Sequence, residues 1–202
     1  MRAFVAVEIT EPSILKKIKN LQSKMGEALK GAKPTDAGIL HFTLQFLGEV
    51  PDSKIQFVID AVSSTRFSRF DVEIAGLGAF PNGRSPRAIW VGARDVASTE
   101  GTGNGSGGGK SDGNGSSRAL SDLAQKVSDS LAPVGYLRDK RFVAHSTIFR
   151  IKKKGIDITD ELKRHSDMVF GVQSITRFKL KKSVLTPTGP IYTDLMENVA
   201  VQ

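Results

Sequence analysis

A chain of 202 residues, 39% of them apolar, is long enough for one packed domain of ordinary size or two small lobes sharing an interface. It contains no cysteine, which excludes disulfides, thiolate metal sites and a cysteine nucleophile. Twenty-nine lysines and arginines against 21 acidic residues give a formal charge of +8 and a pI near 9.8; this favours polyanionic partners through phosphate contacts, although solubility alone would account for it too.

Residues 2–9 read as a strand rich in Val, Phe and Ile, ended by Thr10 and Pro12. The apolar run at 3–7 is too short for a signal peptide, and nothing approaches the roughly 18 apolar residues of a membrane helix. A cytoplasmic protein without membrane contact is therefore expected. Over 13–29, Ile14, Leu15, Ile18, Leu21, Met25 and Leu29 recur at helical spacing, and Gly31 and Pro34 close the helix. A strand at 40–47 precedes a second helix at 53–64, and strands at 71–77 and 88–93 flank the turn-rich 80–86. Residues 98–117 are almost wholly Gly, Ser, Asn, Thr and Asp, which predicts a flexible loop insertion. A third helix at 118–131, a strand at 142–151, a short helix near 159–165 and two last strands at 172–185 and 190–201 complete the chain. This order nearly repeats itself, so the expectation is an α+β fold of two similar lobes rather than a doubly wound parallel sheet.

Two of the three histidines stand in matching contexts, His41-Phe42-Thr43-Leu44 and His145-Ser146-Thr147-Ile148. Alternate residues of a strand share a face, so each His and Thr would point one way and the apolar residues into a core. If the lobes are related by a pseudo-two-fold axis, both His/Thr faces converge on one cleft. Attack on a cyclic phosphodiester needs a base for water and an acid for the departing ribose oxygen. Two histidines can supply one of each near pH 7. Threonine hydroxyls can hold the non-bridging oxygens between the imidazoles. Three scattered histidines and no paired carboxylates leave little to ligate a metal, so neither metal nor cofactor is expected.

The two motifs resemble those of the 2H phosphoesterase superfamily, specifically its LigT-like branch, the RNA 2′,3′-cyclic phosphodiesterases once named 2′-5′ RNA ligases. The likeness spans nearly the whole chain: MRAFVAVE at 1–8, LHFTLQFLGEV at 40–50, GLGAFPNGRSPRAIWVG at 76–92 and KSVLTPTGPIY at 182–192. It implies a single domain over 1–202, with two pseudo-symmetric lobes whose antiparallel sheets face a central V-shaped cleft, helices outside. It also implies His41 as general acid (proton donor), His145 as general base (proton acceptor), and Thr43 and Thr147 as phosphate holders. The substrate would be RNA ending in a 2′,3′-cyclic phosphate, tRNA-derived ends among them. A monomer suffices, and the product would be a 2′-phosphomonoester. An acid–base pair works in both directions, so 2′-5′ joining of RNA ends is implied as well.

Ala144 stands where the second motif commonly has proline, which removes no functional group. Arg150 lies where the family carries an arginine near the phosphate, but strict alternation puts it on the face opposite His145. Its role as a phosphate-binding residue requires a bulge or the strand's end. Rival readings keep the site but change the substrate, to a cyclic nucleotide, ADP-ribose 1″,2″-cyclic phosphate or a 2′-5′ oligonucleotide, or make the chain a non-catalytic RNA-end binding module. Gly109-Lys110-Ser111 has Asn104 where a P-loop needs its first glycine, and is set aside. His165 and the lysines at 152–154 and 179–182 read as solvated, the lysines with RNA backbone contact as the functional alternative. Trp90 reads as core. No base-stacking aromatic can be chosen among eleven Phe and two Tyr.

Overall fold

The apolar run near the N-terminus sets the interior of the first sheet. The computed structural model describes residues 1–29, 31–96, 117–138, 141–152, 155–187 and 189–201. Strand β1 (Arg2–Glu8) is buried on both faces over residues 3–7, as that run requires. It is followed by helix α1 (Pro12–Ala28), with proline in the first turn, and by a short strand β2 (Ala32–Pro34) that no periodicity marked. Next come β3 (His41–Glu49), α2 (Ile55–Ser63), β4 (Phe70–Phe80) and β5 (Ala88–Asp95). After the helix α3 (Arg118–Leu131) come β6 (His145–Ile151), α4 (Thr159–Arg164), β7 (Val169–Ile175), β8 (Arg177–Thr186) and β9 (Gly189–Val199).

The strands form two sheets, all pairs antiparallel, in the orders β3-β1-β8-β9 and β2-β6-β5-β4-β7. This is the expected mixed architecture of two antiparallel sheets with helices packed against them. Each sheet, however, takes strands from both halves of the chain, so the two units interlace instead of following one another. The strand expected at 172–185 is in fact β7 and β8, separated at Thr176, because the chain leaves one sheet there and enters the other. The loop expected at 98–117 lies outside the described residues except for Ser117. That side chain caps α3 by accepting from the Leu120 N–H.

Helices α2 and α3 pack on the first sheet, through β9 and β3, while α1 and α4 pack on the second, through β7 and β4. The buried set is continuous through both sheets, with Phe42, Phe149, Phe170 and Phe178 fully enclosed. Each such ring contributes on the order of 1.5–3 kcal/mol by leaving water. Val5 and Val7 point into this core. Phe4 and Ala6 point to the other face of the sheet, where β3 approaches β6.

Candidate active site

The face of β1 that carries Phe4, Ala6 and Glu8 lies beside the face of β3 that carries Thr43 and His41, since Ala6 pairs with Thr43 and Glu8 with His41. In the second sheet, Trp90 pairs with Thr147 and Gly92 with His145. His41, Thr43, His145 and Thr147 are all half-buried, while Phe42, Leu44, Ser146 and Ile148 between them are buried. Alternation therefore acts as expected on both strands.

The imidazoles are held alike. Nδ1 of His41 lies 2.7 Å from the Ile39 carbonyl oxygen, and Nδ1 of His145 lies 2.8 Å from that of Val143. A carbonyl oxygen only accepts, so Nδ1 carries the hydrogen in each ring and Nε2 is the nitrogen left for chemistry. Each ring is also braced by aromatic edges. His41 meets Phe4 at 5.0 Å and Tyr192 at 5.3 Å; His145 meets Phe80 at 4.9 Å and Trp90 at 6.2 Å between centroids.

Their electrostatic settings differ. Burial pushes the His41 imidazole below its ordinary range, and the charges of Lys181 and His145 push the same way, against the Ile39 carbonyl and Glu8. That His145 acts on His41 at all places the two rings in one field. Burial also pushes His145 down, against the Val143 carbonyl. Beside His41 lies a knot of charge: Lys179 is 2.9 Å from Glu8 and 2.7 Å from Asp194, and Lys181 bonds both carboxylates as well. Burial alone would raise Glu8 and Asp194, but the two ammonium groups outweigh it and hold both carboxyls ionised below their ordinary range.

Arg150 shares the His145 face after all. Ile89 pairs with Phe149 and Trp90 with Thr147, so Ile148 is an extra residue in β6, and the bulge returns Arg150 to the side of His145 and Thr147. Strand β3 has the same device at Leu44, skipped between the Val5–Gln45 and Ala6–Thr43 pairs, and it brings Phe46 to the side of His41. Phe46 is thus the counterpart of Arg150, five residues after its histidine, and is 66% exposed. Carrying the comparison of the two motifs two residues further, HFTLQF against HSTIFR, would have found it.

Three sequence expectations change. Trp90 is half-buried beside His145 rather than in the core. Lys181 is buried and paired with Glu8 and Asp194 rather than solvated, and Lys179 shares the same partners. His165 is only 29% exposed and lies 3.8 Å from Glu161. Lys153, Lys154 and the 109–111 segment lie outside the described residues. Among the described residues, no three His, Asp or Glu side chains are grouped to hold a metal ion, and no helix is long and apolar enough to cross a membrane.

The family model described as LigT like Phosphoesterase matches residues 7–90. A protein of Archaeoglobus fulgidus named RNA 2′,3′-cyclic phosphodiesterase is 36% identical over 96% of this chain and 98% of its own length. One of the same name from Thermotoga maritima is 30% identical over 98% and 94%. Among solved structures, a Thermus thermophilus protein superposes with a TM-score of 0.75 at 25% identity, covering 98% of this chain and 97% of its own. LigT of E. coli, complexed with 3′-AMP, gives a TM-score of 0.73 at 22% identity over 100% and 98%, a likeness of fold.

Proposed function

The chain belongs to the LigT-like phosphoesterases, and on that premise we propose that it is a hydrolase that opens 2′,3′-cyclic phosphate ends of RNA with His41 and His145 as its acid–base pair. The observation that carries this reading is the duplicated ledge: two imidazoles, each locked through Nδ1 to a carbonyl two residues back, each with a threonine on the same face and a free Nε2.

The reaction follows from those groups. Nε2 of His145 takes a proton from water, whose oxygen bonds to phosphorus, while Nε2–H of His41 gives its proton to the 3′ oxygen as the P–O3′ bond breaks. The products are a 3′-hydroxyl and a 2′-phosphomonoester. Thr43, Thr147 and Arg150 hold the non-bridging oxygens and keep phosphorus between the imidazoles. A ribose 5′-hydroxyl in place of water would give a 2′-5′ linkage by the same transfers. The exposed Phe46 ring offers a stacking surface for a base. In this reading, residues 1–202 act as one catalytic domain, a monomer in the cytoplasm, on tRNA-derived ends among others.

The test is incubation of the purified protein with RNA bearing a 2′,3′-cyclic phosphate, with and without EDTA. Turnover is expected to survive EDTA and to leave a 2′-phosphate; a 3′-phosphate product or loss of turnover on chelation would defeat the mechanism. His41→Ala and His145→Ala are each expected to lower kcat at least about 10²-fold. Near-wild-type turnover in either variant rules that residue out.

A further inference from the structure

The positive charge facing the cleft exceeds what one cyclic phosphate monoanion needs. Lys179 and Lys181 are matched by Glu8 and Asp194. Arg150 and Arg2 have no such match: among the described residues neither makes a hydrogen bond or ion pair to a side chain. Arg2 is exposed and precedes Phe4 by two on β1, so it shares the face on which the Phe4 ring meets His41, Phe46 and Tyr192. Glu49, its partner across the strand pair, lies 3.5 Å from the N-terminal amine.

Tyr192 stands on β9 of the same sheet. Its ring stands edge-on to His41, and it pairs with Ser183 on the side of Lys181. Burial pushes its phenol above the ordinary range, against the charges of Arg150, Arg2 and Lys181, so the hydroxyl stays protonated and can donate. Ala3 pairs with Lys182 and Ser183 with Tyr192, so one step further along β1 Arg2 falls in the row of Ser183 and Tyr192. An exposed guanidinium in one row with a phenolic donor is a place for an anion.

We propose that Arg2 and the Tyr192 hydroxyl form a second phosphate subsite beside the reacting one, which takes the 5′-phosphate of the terminal nucleotide. In an RNA chain that phosphate is the phosphodiester to the preceding residue, so the subsite makes the enzyme prefer strand ends over free nucleoside cyclic phosphates. The inference rests on the phosphodiesterase reading.

Three substrates separate the sources of the preference: cytidine 2′,3′-cyclic phosphate with a free 5′-hydroxyl, the same with a 5′-phosphate, and the dinucleotide CpC with a 2′,3′-cyclic end. Both phosphate-bearing substrates are expected to exceed the first in kcat/KM by about 10-fold, the scale of one charge-assisted contact. Arg2→Gln removes that gain, Arg2→Lys keeps part of it, and Arg177→Gln, an equal loss of charge at the far end of β8, keeps all of it. The salt dependence of log kcat/KM for the dinucleotide flattens by about 0.7 in Arg2→Gln. A gain seen only with the dinucleotide, equal turnover of all three, or a gain that survives Arg2→Gln overturns the subsite. Turnover of none of them overturns the phosphodiesterase reading itself.

Discussion

A histidine that must lose a proton and one that must give a proton are set here in the same backbone frame, yet both are pushed toward the neutral form by burial. The active free enzyme holds one proton between them. With both pKa values below the ordinary 6.5 or so, the singly protonated pair is most populated on the acid side of that value. Above it both rings are neutral and the acid is missing; far below it both are charged and the base is missing. The expected kcat/KM profile therefore rises as pH falls from about 8 and peaks below about 6.5, and a maximum at or above about 7.5 would contradict the site. Stability has the matching sign. A depressed folded pKa makes the folded state bind fewer protons than the unfolded one, so this contribution is present above about pH 6.5 and is lost as pH falls through the folded values. The histidines themselves were legible because they are rare and duplicated. The Lys181 pairing was not: it sits in a run of lysines that reads as solvated, its partner Glu8 comes from the other end of the chain, and Asp194 reaches it only through the β8–β9 register.

At the level of strands, a bulge is a property of a pair, which is why the side of Arg150 stayed conditional in the sequence while the side of Thr147 did not. The extra residues Leu44 and Ile148 each bury an apolar side chain, and each re-aims the residue two further on toward the cleft. Glycine serves the cleft by omission on strand β4. A Cβ at position 78 would overlap the Trp90 ring, which lies across that glycine and beside His145. Gly78→Ala must therefore move the indole, at about 1–3 kcal/mol of overpacking. The expected result is a lower Tm, a shifted emission from the only tryptophan in the chain, and reduced kcat through a disturbed His145. Unchanged emission with wild-type kcat would show that the indole braces nothing. The break at Thr176 was invisible for a related reason: no glycine or proline marks it and apolar residues continue on both sides, so only membership of two sheets separates β7 from β8.

For the whole molecule, the interlaced sheets make the ends of each connection as important as its length. The sequence showed two similar sets of elements, but periodicity carries no information on which strands pair, and so the interlacing could not be read from it. The same logic decides what residues 98–116 contribute. Their anchors are already joined: the Ser117 N–H donates to the Ala93 carbonyl at 2.7 Å, the Ser117 hydroxyl donates to Asp95 at 2.6 Å, and the Asp95 carboxylate accepts from the N–H groups of Arg118 and Ala119. An acidic group at that helix start is favourable in its own right. Strand β5 and helix α3 thus meet through bonds that need no long connection. Replacing 98–116 with Gly-Ser-Gly-Ser shortens the closure by about two doublings, worth roughly 1 kcal/mol of chain entropy. That corresponds to a rise in Tm of about 2–4 °C for a chain of this size, with kcat/KM on cyclic-phosphate RNA unchanged. Thermal melts and initial rates on the shortened chain check this together. A several-fold loss of kcat/KM at equal or higher Tm would mean that the replaced segment acts on the substrate, and the site described above would then be incomplete.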